Sequence, residues 1–296
     1  MILVAGGTGR LGSVLVDRLV DRNLEVRVLT RDPGRAARLV GGPVEVVVGD
    51  VQDRESLGPA TAGVDVVVSA VHGFGGRRAN APAAVDRDGN ANLIDAAKTA
   101  GSEFVLMSTV GAAADSPMEL FRMKHAAEQR AAGSAVPTTI VRSTAFLELW
   151  IDLLRQTAGR SGRPLVFGRG ANPINFVSVA DVAAVVEYAV IDPITRGKIL
   201  EVGGPDNLTL DHLAEAVQAA ARRRQRPRHI PPPVLDLVAN SVGRVKPRLG
   251  RQARAALVMD HADLSFDSAP IHHLYPDLPW TTLADVLGRD RARQAA

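Results

Sequence analysis

The chain of 296 residues contains no cysteine. Disulfides and thiolate metal ligands are thereby excluded, and a reducing, cytoplasmic setting is the expectation. Aromatic residues make up only 4% of it, with two tyrosines and two tryptophans. So thin a supply argues against the stacking surfaces of nucleic-acid binders. No run of about 18 apolar residues occurs, so no membrane span is expected. Met1 adjoins the first apolar run, so no leader is expected either. Charge of one sign is also scarce: 35 lysines and arginines against 32 acidic residues leave a net charge of +3. What remains is 46% hydrophobic, the composition of a folded chain with a real core.

The most informative stretch opens the chain. An apolar run, Ile2 to Ala5, stops at Gly6-Gly7-Thr8-Gly9-Arg10-Leu11-Gly12. Leu11, Val14, Leu15 and Leu19 follow at helical spacing. A strand, a tight glycine turn and a helix start in that order form an anion site. The turn's N–H groups and the positive end of the helix both face a diphosphate. Glycine is required where a Cβ would block approach of backbone to phosphate.

Strands and helices then alternate. Further strands are expected at Leu24 to Thr30, Val44 to Val48, Val64 to Ala70, Phe104 to Ser108 and Thr138 to Val141. Helices are expected from Asp53 to Ala62, from about Val85 to Ala100 with Gly101 as its stop, and from Pro117 to Ala132. This order predicts an α/β fold, a Rossmann-type doubly wound parallel sheet with right-handed crossovers. After Arg142 the alternation weakens. A helix rich in large apolar residues, Phe146 to Leu154, precedes a short strand, Leu165 to Phe167. Phe176, Val177 and Val179 then lead into a helix from Ala180 to Val190, with Ser178 as its cap and Asp181 as the acid three residues on. Ile199 to Val202 is the last strand. The expected division is a nucleotide domain of 1–142 plus 173–203 and a small, mostly helical lobe of 143–172 plus 204–296 that closes over the nicotinamide end.

Several residues at strand ends carry chemistry. Arg31 follows strand two, where dinucleotide folds hold the ribose of the adenosine. Its planar fork suits a 2′-phosphate and favours NADP, with Arg35 one turn on. The competing assignment gives the ribose to Asp32 and makes the cofactor NAD. Asp50 and Val51 follow strand three and suit the adenine edge, or else a turn and helix cap. Ala70 and Val71 end strand four with room for ribose and diphosphate. His72, a general acid or a plain loop histidine, precedes a glycine-rich segment, Gly73 to Arg78, placed to cover a cofactor. Ser108 and Thr109 end strand five, where a hydroxyl orients an acceptor or bonds locally to backbone. Lys124 lies in the next helix, as a ribose-binding proton carrier or as an exposed cation paired with Glu128. The basic run Arg222 to Arg228 ends a helix and suits solvent, with contact to acidic lipid or a protein left open.

Taken together, these residues resemble the atypical short-chain dehydrogenase/reductases, in their NmrA-like and isoflavone-reductase-like branch. Gly6 to Gly12, Thr30-Arg31-Asp32-Pro33, Gly49-Asp50-Val51, Met107-Ser108-Thr109, Lys124 with Glu128, Thr139 to Arg142, Phe176 to Ala183 and Val202 to Pro205 carry the likeness. It covers about 1–220 and is far less specific to reaction than to superfamily. One departure matters. Typical members carry Tyr-x-x-x-Lys, and the tyrosine place before Lys124 holds Leu120. The resemblance therefore implies two functions. One is an NADPH-dependent oxidoreductase acting on a small hydrophobic acceptor (quinone, enone or aryl compound). Lys124 would then bind ribose and relay a proton, Thr109 would orient the acceptor, and Phe146, Leu149, Trp150 and apolar residues past Pro231 would wall the pocket. The other is a non-catalytic NADP(H) sensor or a nucleotide-binding scaffold. Oligomeric state is left open.

Overall fold

The computed structural model describes residues 1–39, 42–76 and 78–295. In chain order, β1 (Ile2–Ala5) leads through the glycine turn to α1 (Arg10–Asp21) and β2 (Val26–Thr30). Then come β3 (Val44–Val48), α2 (Arg54–Thr61) and β4 (Val66–Ser69). α3 (Asn90–Ala100), β5 (Glu103–Thr109), α4 (Glu119–Ala132) and β6 (Thr138–Ser143) follow. The remainder comprises β7 (Ala145–Phe146), α5 (Leu147–Ala158), β8 (Leu165–Phe167), β9 (Ile174–Val177), α6 (Val179–Ile191), β10 (Ile199–Val202) and β11 (Asn207–Leu208). It ends with α7 (Leu210–Ala220), β12 (Arg228–Ile230), α8 (Pro232–Leu237), α9 (Gly243–Val245), α10 (Pro247–His261), α11 (Ala269–Leu274) and α12 (Leu283–Ala295).

Two compact units result, 1–143 with 182–202 and 144–181 with 203–296. The first is built on a seven-stranded parallel sheet in the order β3-β2-β1-β4-β5-β6-β10. β1 is wholly apolar and β4 is apolar up to Ser69, and all of their residues are buried, as a sheet covered on both faces demands. β3 lies at the edge, and its Val48 is 59% exposed. Leu3, Leu57, Leu93, Ile94, Phe104 and Leu106 form the main core cluster. Strand order reverses between β1 and β4, the place where sheets of this kind bind ligands at the strands' carboxyl ends.

The second unit has its own core. Leu147, Ile151 and Leu154, one stripe of α5, pack with Ile174, Phe176, Leu213 and Leu287. Its small sheets are β11-β9-β7 and β12-β8. The expected segment 173–203 is therefore divided: β9 pairs with β7 and β11, and only 182–202 groups with the first unit. Local pattern cannot reveal this, because β9 is as apolar as a strand of the main sheet.

Other corrections are local. The helix expected from Pro117 starts at Glu119, with Met118 as its cap and proline outside. The helix expected from Val85 begins at Ala83 as a π-helical turn, Ala83–Gly89, before continuing as α3. Gly101 ends it at φ +72°, as expected of a left-handed stop. Arg35 belongs to a 3-10 turn, Pro33–Leu39, whose first amides Asp32 caps through Gly34 N–H at 2.9 Å.

Candidate functional site

The turn between β1 and α1 is shaped by three different glycine requirements. Gly6 sits at φ +88°, and a Cβ there would lie 2.7 Å from the Ala70 carbonyl oxygen. A Cβ on Gly12 would lie 2.2 Å from the Gly6 oxygen, so only glycine lets α1 start against the turn. On Gly9 it would meet Gly6 O at 3.1 Å and nothing else within 4 Å. Gly9 is the N-cap of α1, carries no side-chain cap, and no acidic residue occupies the first helical turn. The amides of Arg10, Leu11 and Gly12 thus keep the positive end of the helix available to an anion. Thr8 lies in the same turn, and its carbonyl accepts from Arg35 Nη2 at 3.4 Å.

Arginine gathers at the end of β2. Arg31 is half exposed, donates to Asn80 Oδ1 and stands 3.7 Å from Asp50 Oδ2. Asp32 is used by the backbone cap described above, so its carboxylate already serves a local role. Asp50 behaves likewise in part: Oδ1 accepts from Gln52 N–H at 3.0 Å, while the side chain stays one-third exposed. Val51 is nearly buried and its carbonyl accepts from Asn92 Nδ2 at 2.9 Å.

The end of β4 holds what sequence reasoning missed. Asp86, on the π-helical turn, is fully buried. Its Oδ2 accepts from Gly73 N–H at 2.8 Å. Lys124 Nζ stands 3.0 Å from Asp86 Oδ1, a charge contact off the angle of a hydrogen bond. The same Nζ donates to the Val71 carbonyl at 3.1 Å. Lys124 is only 5% exposed. It is therefore no surface cation paired with Glu128. Glu128 instead accepts from Arg142 at 2.9 and 2.7 Å, and these hydrogen bonds hold the Arg142 guanidinium charged against the opposing effect of burial. Behind Asp86, Ser69 Oγ donates to Asn90 Oδ1 at 2.5 Å, and Asn90 Nδ2 donates to the Asp86 carbonyl at 2.6 Å. Two polar residues four apart, Asp86 and Asn90, on a face otherwise apolar at Leu93, Ile94 and Ala97, were the signal available in the sequence. His72 is half exposed, with Nδ1 4.0 Å from Asp86 Oδ1. In the adjoining glycine-rich segment, Arg77 lies outside the described residues.

At the end of β5, Thr109 Oγ1 bonds weakly to the carbonyls of Val110 and Ser143, both at 3.3 Å. Ser108 Oγ is buried with no partner among the described residues. An orphaned hydroxyl and an open glycine cradle, both at carboxyl ends of sheet strands, fit a dinucleotide. Leu120, in the tyrosine place, is half-buried and has no acidic proton to donate. Tyr188 lies on α6 and Tyr275 closes α11.

In the second unit, Leu149 is 47% exposed, and Trp150 packs edge-on to Phe176 with ring centroids 6.2 Å apart. Phe146 caps α5 and is half-buried. Ser178 caps α6 through Ala180 N–H at 3.2 Å, but Asp181 does not reach back to it. Its carboxylate accepts from Thr281 N–H and Oγ1 at 2.7 and 2.9 Å. Glu148 takes over, accepting from Ser178 Oγ at 2.7 Å and Val179 N–H at 3.0 Å.

Comparison with known proteins agrees with this geometry. Residues 6–193 match the model of a family described as NAD(P)H-binding. The NAD(P)H azoreductase of Xenophilus azovorans is 32% identical over 231 residues, 76% of each chain. Quinone oxidoreductase 2 of Escherichia coli is 26% identical over 216 residues, 72% of each. Among solved structures, an NADPH-dependent quinone oxidoreductase from E. coli in complex with NADPH superposes with a TM-score of 0.80 at 22% identity, covering 98% of this chain and 99% of that one. The triphenylmethane reductase of Citrobacter sp. in complex with NADP(H) gives 0.79 at 20% identity, with 98% and 99% covered. A strand, an uncapped glycine turn and a parallel sheet reversing beside it thus meet a sequence likeness over most of the chain, and the protein belongs to the NAD(P)H-binding family.

Proposed function

We propose that the protein is an NADPH-dependent oxidoreductase whose acceptors are quinones or related aryl compounds. The observation that carries the reading is the unobstructed Gly6–Gly12 turn flanked by Arg31 at the end of β2. Bound there, NADPH supplies a hydride. Arg10, Leu11 and Gly12 give amides to the diphosphate, with Gly6, Thr8 and Gly9 shaping its seat. Arg31, helped by Arg35, meets the 2′-phosphate, and Asp50 and Val51 meet the adenine. Ala70, Val71 and Ser108 line the path toward the nicotinamide end.

Lys124 Nζ spends one proton on Val71 O and its charge on Asp86, which leaves a further N–H for a ribose hydroxyl. Asp86 holds that ammonium in place. Thr109, only weakly bonded, orients the acceptor. The missing tyrosine fits the acceptor class. A carbonyl that becomes an alkoxide needs a strong local proton donor. A quinone becomes a phenolate, whose conjugate acid titrates near about 10, and it takes its proton from Lys124 or water. The relatives named for azo compounds, quinones and triphenylmethane dyes support such acceptors.

The cofactor assignment is tested by calorimetry. Arg31→Ala is expected to weaken NADPH binding by about 1–3 kcal/mol while leaving NADH almost unchanged. Equal loss for both nucleotides would refute the 2′-phosphate role. The reaction is tested by NADPH consumption with a series of quinones, enones and azo dyes. Leu120 in the tyrosine place favours one other reading, a nucleotide sensor. Tight NADPH binding with no turnover on any of these acceptors would select it.

A further inference from the structure

Residues 232–261 form a helical hairpin. α8 runs through a π-helical turn (Val238–Val242) into α9, and the chain reverses at Lys246 and Pro247 into α10. The arms touch at two glycines: a Cβ on Gly243 would lie 2.7 Å from Gly250 Cα. The tip, Arg244-Val245-Lys246-Pro247-Arg248-Leu249, is exposed throughout. Val245 is 83% exposed, Leu237 61%, Leu249 42% and Val242 39%. From Leu237 to Met259 there is no aspartate or glutamate, while Arg244, Lys246, Arg248, Arg251 and Arg254 all carry positive charge. Among the described residues, Arg244, Lys246 and Arg248 have no carboxylate partner.

Scattered surface aliphatics need no explanation, but four along one hairpin, two of them at its tip, among basic side chains do. An acidic soluble partner would answer the charge and leave the aliphatics in water. A neutral apolar partner would strand the cations. A bilayer with anionic headgroups answers both, with aliphatics at the acyl boundary and guanidinium and ammonium groups at the phosphates. No helix among the described residues is long and apolar enough to span a membrane, so the contact is interfacial. We infer that this hairpin tip docks the protein peripherally on anionic lipid surfaces. The inference goes beyond the proposed reaction and stands whether or not the protein turns over.

The test is flotation of the full chain with vesicles of phosphatidylcholine alone and of phosphatidylcholine mixed with phosphatidylglycerol. The protein is expected to float with the mixed vesicles only, and added salt is expected to weaken the association. Val245→Asp, and separately Arg244→Glu with Arg248→Glu, are each expected to lower binding by about tenfold or more. Thermal melting and NADPH affinity should stay unchanged, because the tip is exposed. No flotation, equal flotation with both vesicles, or variants that bind like the parent would each overturn the inference. So would a lipid-free dimer in sedimentation that Val245→Asp dissolves, since the tip would then join two copies of the chain.

Discussion

Lys124 shows how much a residue's meaning depends on its neighbours. Helical spacing to Glu128 suggests a surface pair, yet burial beside Asp86 makes it half of an interior ion pair. Two desolvated charges contribute little net stability together, but either one alone is costly. Lys124→Met is therefore expected to cost about 3–5 kcal/mol in chemical denaturation, because it leaves the Asp86 carboxylate uncompensated. Adding Asp86→Asn should recover part of that loss. No recovery would mean that the two side chains do not share their charge in the folded protein. Any activity measured for Lys124 variants has to be read against this folding cost. Arg31 is the opposite case. It is half exposed and only lightly paired, so its removal is expected to register in nucleotide choice and hardly in stability.

Among elements, the β1–turn–α1 unit was almost wholly legible in the sequence. Glycine's backbone freedom and a helical apolar stripe are short-range properties, and both are written in adjacent residues. Gly12→Ala tests the unit: its methyl would stand 2.2 Å from the Gly6 oxygen and push α1 off the turn. We expect a loss of about 1–3 kcal/mol in stability and weaker binding of NADPH and NADH alike. That even-handed loss contrasts with Arg31→Ala and would separate the proposed diphosphate seat from the proposed 2′-phosphate seat. The π-helical turn Ala83–Gly89 was not legible. Periodicity of a few residues does not reveal one extra residue per turn, although such turns often mark functional positions. Here that extra residue is part of the winding that brings Asp86 to Gly73 and Lys124.

For the whole molecule, one buried carboxyl of the second unit contributes to the pH dependence of folding. Burial pushes the Asp181 carboxyl above the usual carboxylate range, although two Thr281 donors pull it back. A carboxyl with a raised folded pKa takes up a proton more readily folded than unfolded. Its ionised form therefore costs stability at neutral pH, and the cost fades as pH falls through the raised value toward the ordinary carboxylate range. Asp181→Asn is expected to raise the melting temperature at pH 7 and to lose that advantage in mild acid. An unchanged difference across that range would contradict the assignment. By itself the sequence determined the order of strands and helices, the parallel sheet and the glycine turn, since these rest on backbone geometry and on spacing between near neighbours. Only the tertiary structure decided that β9 joins the second unit, that Asp181 answers Thr281, and that Asp86 holds Lys124. Such pairings join residues far apart in the chain, and charge and burial act through distance in space, which no local pattern encodes.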